Sequence, residues 1–124
     1  MALGQSNRVL VVEDEPIIRM GAVDLCESAG LLVSEASNAD EAVEVLSSGQ
    51  RYSILMTDID MPGSMDGIAL AWRARELDSS IAVVVVSGKM IAPQSSLPPN
   101  ARFFTKPVQE GELLAAIGEL LVHG

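Results

Sequence analysis

Positions 81–86 read IAVVVV, six consecutive apolar residues of which four are valine. Valine and isoleucine favour strands because their branched side chains pack well on a pleated surface. No polar residue alternates with them, so both faces of the strand should be buried, as in a parallel sheet covered by helices on both sides. The run therefore predicts a domain of the α/β class.

Segments of strand and helix character alternate on both sides of this run. Further strands are predicted at Arg8–Val12, Leu32–Glu35, Tyr52–Thr57 and Ala101–Thr105, the second of them near a sheet edge, and helices are predicted to begin near Pro16, Asn38, Asp66 and Val108. Apolar residues recur at helical spacing in each helical segment, in the first at Ile18, Ala22, Leu25 and Ala29. The alternation predicts a flavodoxin-like, doubly wound sheet of five parallel strands in the order 2-1-3-4-5.

Size and charge limit the possible functions. The 124 residues suit one domain, predicted to span residues 8–124 after an N-terminal tail at 1–7. The net charge of −9 argues against nucleic-acid binding. The longest apolar run has six residues, far fewer than the roughly 20 that cross a membrane. Residues 1–8 contain no apolar stretch like that of a secretory signal. A single cysteine, Cys26, cannot form an internal disulfide, so a cytoplasmic protein is predicted.

The residues that end the predicted strands form a chemically coherent set. Because the carboxyl ends of parallel strands meet at one edge of the sheet, these side chains should face a common crevice. The set comprises Glu13 and Asp14 after the first strand, Asp58 and Asp60 after the third, Ser87 after the fourth, and Lys106 and Pro107 after the fifth.

This set suits phosphoryl transfer. Neighbouring carboxylates repel one another, and a hard divalent cation such as Mg²⁺ relieves that repulsion. Phosphoryl transfer needs an oxygen nucleophile, a metal and positive or hydrogen-bonding groups around the phosphoryl oxygens. Asp58 is the predicted nucleophile, Lys106 the fixed positive charge and Ser87 the hydroxyl donor.

Four segments resemble the receiver domains of two-component response regulators: VLVVEDE (9–15), LMTDIDMPGSMDG (55–67), VVVVSGK (83–89) and FFTKP (103–107). They occur in the family's order at similar intervals, and the resemblance covers nearly the whole chain. It implies a phosphoacceptor signalling domain that catalyses at most its own phosphorylation and dephosphorylation. A sensor histidine kinase or a histidine phosphotransfer protein would supply the phosphoryl group, and a downstream protein would be the target.

The resemblance also implies how the acidic residues act. Asp58 would accept the phosphoryl group. Asp14 and Asp58 would bind Mg²⁺ directly, together with the backbone carbonyl of Asp60, and Glu13 would act through a water molecule.

A second group of residues would respond to phosphorylation. By resemblance, Lys106 would pair with the phosphoryl group, and Ser87 would move toward it as the switch hydroxyl. Phe103 stands where many receivers carry a switch tyrosine, so its ring can rotate but cannot donate a hydrogen bond. The peptide bond between Lys106 and Pro107 is usually cis in the family.

Two further segments depart from the family pattern. Gly63 and Ser64 follow Pro62 where one residue is usual, so this loop should absorb the extra residue as a local bend. Met90–Pro99 contains Pro93 and ends in two prolines, so the helix that normally follows the fourth strand should be shortened or irregular. We expect this segment to be mobile or remodelled on phosphorylation.

Two other functions stay open. Asp58 and Asp60 also match the paired aspartates of haloacid-dehalogenase-like phosphatases, although in this chain they follow the third strand and no cap domain fits. A flavodoxin-like module for a small ligand is the other, although the acidic loop after the first strand does not suit phosphate recognition. Within the receiver interpretation, Lys89 is expected to influence the approach of water or a donor to Asp58.

Overall fold

The computed structural model of the chain describes residues 7–88 and 96–123. Within these residues lie five strands and four helices, in the order β1 Arg8–Val12, α1 Pro16–Ser28, β2 Leu32–Ala36, α2 Ala39–Leu46, β3 Ile54–Asp58, α3 Gly67–Leu77, β4 Ala82–Ser87, β5 Arg102–Thr105 and α4 Glu110–His123. The strands form one parallel sheet in the order β2-β1-β3-β4-β5. The predicted fold class and strand order are confirmed.

The boundaries of several elements differ from those predicted. β3 begins at Ile54 rather than Tyr52 and ends at Asp58 itself, so the aspartate belongs to the strand. α4 begins at Glu110, two residues after the predicted start. β2 lies at an edge of the sheet, as expected. No described helix is long and apolar enough to cross a membrane.

Local sequence fixes where the helices begin. Pro16 occupies the first turn of α1, where its missing N–H costs nothing. Asn38 caps α2 by accepting a hydrogen bond from the Glu41 amide at 2.9 Å. Asp66 caps α3 in the same way, accepting from the Ala69 amide at 2.9 Å. These caps satisfy backbone groups that the helix itself leaves unpaired.

The sheet divides the core into two layers because successive strand residues point to opposite faces. One layer packs with α1 and α4, and its buried strand residues are Val9, Val11, Ile54, Met56, Ala82, Val84 and Val86. The other packs with α2 and α3, and its buried strand residues are Leu10, Val12, Ala36, Leu55, Val83 and Val85. With both faces covered, the central strands hold their carboxyl ends at fixed positions.

The apolar residues of α1 that recur at helical spacing are not buried equally. Cys26 is fully buried, and burial raises the pKa of its thiol to about 11. Ala22 and Leu25 are half-buried, but Ile18 is 43% exposed. Ile18 lines an open cavity of about 510 Å³ between α1, α4 and the strand ends, so this turn borders a cavity instead of the packed core.

The connection from β4 to β5 is only partly described. Residues 89–95 lie outside the described part of the chain, so the expectations for Lys89 and for this segment stay untested. Ser96–Ala101, directly before β5, contains no α-helix.

Two side chains of α3 hold the described part of this connection. Trp72 Nε1 donates to the Ser96 carbonyl at 2.8 Å, and Arg75 Nη1 donates to the Pro99 carbonyl at 2.6 Å. Leu97 is buried in the core beside α3. The residues that lead into β5 are therefore fixed to α3.

α3 begins unusually close to the end of β3. The Gly67 amide donates to the Ile59 carbonyl at 2.9 Å. A Cβ atom at Gly67 would overlap the Asp58 carbonyl oxygen and would lie 2.7 Å from its carbonyl carbon. Those neighbours are backbone atoms that cannot rotate away, so this contact requires glycine.

Replacing Gly67 with alanine should therefore destabilise the fold by at least about 2 kcal/mol, since forced overpacking displaces the backbone. Gly21→Ala is the matched control, because no heavy atom lies within 4 Å of the added Cβ. In a helix that change should be neutral or stabilising by about 0.5–1 kcal/mol. Urea unfolding followed by fluorescence of Trp72, the single tryptophan, measures both. Equal stability of the two variants would contradict the prediction.

Candidate functional site

A single ammonium group lies between two buried carboxylates at the carboxyl edge of the sheet. Lys106 Nζ is 2.9 Å from Glu13 Oε1 and 3.1 Å from Asp58 Oδ2. Glu13 is 5% exposed and Asp58 is 7% exposed. The backbone amide of Lys106 donates to the Ser87 carbonyl at 2.8 Å, which holds the lysine beside the end of β4. The sequence predicted that these residues lie at the same edge of the sheet, and in the structure they are in contact.

Burial and the hydrogen bond between Glu13 and Lys106 act in opposite directions on the pKa of each partner. Burial raises the pKa of Glu13, and the charge of Asp58 adds to the rise, while the hydrogen bond from Lys106 opposes it. Burial lowers the pKa of Lys106, but its hydrogen bonds to Glu13 and Asp58 outweigh burial and raise the pKa above its ordinary value. The lysine therefore stays positively charged at neutral pH.

The backbone around Asp58 is held by several hydrogen bonds. The Asp60 amide donates to Asp58 Oδ1 at 3.3 Å, so each carboxylate oxygen of Asp58 has a donor. Thr57 Oγ1 donates to the Asp58 carbonyl at 2.9 Å. The Ile59 amide donates to the Val86 carbonyl at 2.9 Å and continues the pairing of β3 with β4. Asp58 is thus fixed at the tip of the strand.

Three acidic residues offer ligand atoms to one cation. Carboxylate oxygens of Glu13, Asp14 and Asp58 lie within 4.8 Å of one another. Hard oxygen donors of this kind suit Mg²⁺, which takes one or two carboxylates together with water. The donor set therefore fits the predicted metal, while the part of the Asp60 carbonyl in binding stays a prediction.

Ser87 is buried and its hydroxyl donates to Asp60 Oδ2 at 3.3 Å. Because side chains alternate along a strand, Ser87 continues the face of β4 that packs with α2 and α3. Phe103 is half-buried and packs against the same core layer. Asp58 continues the opposite face of β3, toward α1 and α4.

Two backbone features near the site agree with expectations from the sequence. The Lys106–Pro107 peptide bond is cis. Gly63 has a φ of 115°, and Ser64 Oγ donates to Asp40 Oδ1 at 2.7 Å. The lengthened loop therefore forms a local bend, as predicted, at the position where glycine tolerates a positive φ.

Sequence reasoning did not assign Arg19 or Gly67 to the site. Arg19 Nη1 donates to the Glu13 carbonyl at 2.7 Å. Nothing in the spacing of Arg19 indicated this contact, because it depends on how α1 packs beside β1. For Gly67 a signal existed, since a glycine follows the helix cap at Asp66, where a helix former would be expected.

Comparisons with known proteins identify the family. The sequence-family model of the response regulator receiver domain matches residues 9–118. This chain belongs to the response regulator receiver family. The receiver is 35% identical to the response regulator receiver protein CpdR of Brucella abortus (strain 2308), over 94% of this chain and 98% of that protein. It is 36% identical to the sensor kinase CckA of the same organism, over 96% of this chain but only 13% of the kinase.

Solved structures agree with the family assignment. A response regulator receiver protein from Sinorhizobium medicae WSM419 has a TM-score of 0.88 and 30% identity, over 94% of each chain. The response regulator TrrA from Thermotoga maritima, solved in complex with Mg²⁺-BeF, has a TM-score of 0.80 and 27% identity, over 92% of the receiver and 98% of that chain. The predicted assignment to two-component signalling is confirmed, and these relatives do not favour the phosphatase or ligand-binding alternatives.

The buried ion pair predicts the effect of removing Lys106. Lys106→Met leaves Glu13 and Asp58 without their cation and should cost about 2 kcal/mol, less than a fully buried pair because the lysine is partly exposed. Arg102→Met is the control. Arg102 also forms an ion pair near 3.0 Å, with Glu119, but both side chains are exposed, so its loss should cost less than about 1 kcal/mol. Urea unfolding in the absence of divalent cations compares them, and equal losses would contradict the prediction.

Proposed function

We propose that this receiver, a domain spanning residues 8–124, accepts a phosphoryl group on Asp58 from a phosphohistidine and then regulates a partner protein. The observation that carries the proposal is the Lys106 ammonium group held between Asp58 and Glu13. The donor would be a sensor histidine kinase or a histidine phosphotransfer protein. Support for a kinase comes from relatives that are sensor kinases, such as CckA.

The residues of the site take distinct parts in this transfer. A carboxylate oxygen of Asp58 attacks phosphorus, the bond from phosphorus to the histidine nitrogen breaks, and that nitrogen keeps the electron pair. Lys106 moves its hydrogen bond from Asp58 to a phosphoryl oxygen and stabilises the charge there. Water later hydrolyses the acyl phosphate, which releases inorganic phosphate and restores the Asp58 carboxylate. Beyond these two reactions on itself, the domain is proposed to have no enzymatic activity.

Glu13, Asp14 and Asp58 would hold Mg²⁺, with the backbone carbonyl of Asp60 as a further ligand and Glu13 acting through water. When bound, the ion neutralises charge on the carboxylates and on the phosphoryl oxygens. The close carboxylate oxygens support this assignment.

The response would begin at Ser87. Its hydroxyl donates to Asp60 in this structure and would instead donate to a phosphoryl oxygen on Asp58. Phe103, half-buried on the neighbouring strand, would then adjust to the space that Ser87 leaves. The change at this face is what a downstream protein would recognise.

The start of α1 suits the approach of a protein donor. Ile17, Ile18 and Met20 are 84%, 43% and 63% exposed, and Ile18 lines the cavity that also reaches Asp58. An exposed apolar patch beside a reactive residue favours a protein partner over a small molecule.

The net charge of −9 supports a receiver that binds neither nucleic acid nor membrane. A single cysteine supports a cytoplasmic location.

Asp58→Asn tests the acceptor directly. The wild-type protein, incubated with Mg²⁺ and acetyl phosphate, should gain the mass of one phosphoryl group, and alkali should remove it because an acyl phosphate is labile. The Asp58→Asn variant should gain none. Asp24→Asn, which removes the same charge at an exposed position of α1, should be phosphorylated like the wild type. A stable phosphate on the Asp58→Asn variant would show that the acceptor is wrong.

The phosphatase alternative predicts a different outcome. Asp58 and Asp60 would then hydrolyse external phosphate esters repeatedly. We expect the protein to release no p-nitrophenol from p-nitrophenyl phosphate beyond the buffer rate, measured by absorbance. Many turnovers per minute, lost in Asp60→Asn, would favour the phosphatase over the receiver function.

A further inference from the structure

Arg19 links the acidic segment after β1, which contains Glu13 and Asp14, to β2. It is not one of the residues proposed to take part in phosphoryl transfer. It lies in α1, and its side chain is 19% exposed. Nη1 donates to the Glu13 carbonyl at 2.7 Å, and Nε donates to Glu35 Oε1 on β2 at 3.0 Å. Its hydrogen bonds within the described residues thus go to the loop and to β2, and not to Asp58.

The Glu13 backbone is consequently held from both sides. Its amide donates to the Ala36 carbonyl at the end of β2 at 3.1 Å. Its carbonyl accepts the short hydrogen bond from Arg19. The carbonyl belongs to the peptide unit that joins Glu13 to Asp14, so the two contacts set the direction in which Asp14 leaves the strand.

We propose that Arg19 is a positioning residue for the cation site, which it serves by fixing the peptide unit between Glu13 and Asp14. The inference rests on the proposed function, because it assumes that Asp14 binds Mg²⁺. Groups that do not bind the metal themselves but hold its ligands in place strongly affect metal affinity, and their loss typically lowers it about 10- to 100-fold. The bond to the Glu13 carbonyl carries this effect, since a charged donor at short distance makes a strong hydrogen bond.

Charge and geometry predict opposite effects of losing Arg19. Removing a positive charge near an acidic site makes the site more negative, and electrostatics alone would then tighten Mg²⁺ binding. Loss of the fixed peptide unit would weaken binding, because Asp14 must be ordered when the cation arrives. The sign of the change in affinity therefore separates the two effects.

The experiment compares Mg²⁺ affinity in Arg19→Gln and two controls, measured by titration calorimetry in the full chain. Arg19→Gln should bind Mg²⁺ roughly tenfold more weakly than the wild type. Glu35→Gln removes the ion pair but leaves the carbonyl contact, so its affinity should stay within about twofold of the wild type, because exposed pairs contribute little. Arg73→Gln removes an equal charge at an exposed pair on α3 and should also match the wild type.

A second measurement follows the midpoint of thermal unfolding through Trp72 fluorescence at increasing Mg²⁺. Weaker binding in Arg19→Gln should shift the stabilisation to higher Mg²⁺ concentration. A variant that is less stable without Mg²⁺ but has the wild-type dissociation constant would overturn the proposal, as would tighter binding. At saturating Mg²⁺, Arg19→Gln should still be phosphorylated at Asp58, and failure there would also overturn it. A wild-type protein that binds no Mg²⁺ would instead refute the proposed metal site itself.

Discussion

Glu13 and Asp58 are brought together by the sheet although both carboxylates are almost closed to solvent. Burial and mutual repulsion would make this arrangement unfavourable if the ammonium group of Lys106 did not lie between them. That ion pair joins residues 93 positions apart in the chain, so it forms only when β1, β3 and β5 are in register. The stability of the fold and the proposed reactivity of Asp58 thus depend on the same contact.

Neighbouring elements hold this contact in place through backbone atoms. Gly67 lets α3 begin against the Asp58 carbonyl, and the Lys106 amide pairs with the carbonyl of Ser87. Arg19 acts similarly on Glu13 from α1. In each case a helix or strand constrains the main chain of a residue of the candidate site, which fixes the direction of its side chain.

The sequence predicted the positions of Glu13, Asp58, Ser87 and Lys106 because each directly follows or ends an apolar strand. In a parallel sheet such positions must lie at one edge, so short-range patterns were sufficient. Exposure of Ile18 could not be predicted in the same way. Helical spacing shows which residues share a face of a helix, but not whether the next element covers that face. The contacts of Arg19 depend on tertiary packing for the same reason.

The alternation of side chains along the strands determines which layer of the core each residue of the candidate site faces. The proposed acceptor, Asp58, belongs to the face of the sheet covered by α1 and α4, whereas Ser87 and Phe103 belong to the face covered by α2 and α3. A signal from a phosphorylated Asp58 to Phe103 would therefore have to pass from one face of the sheet to the other.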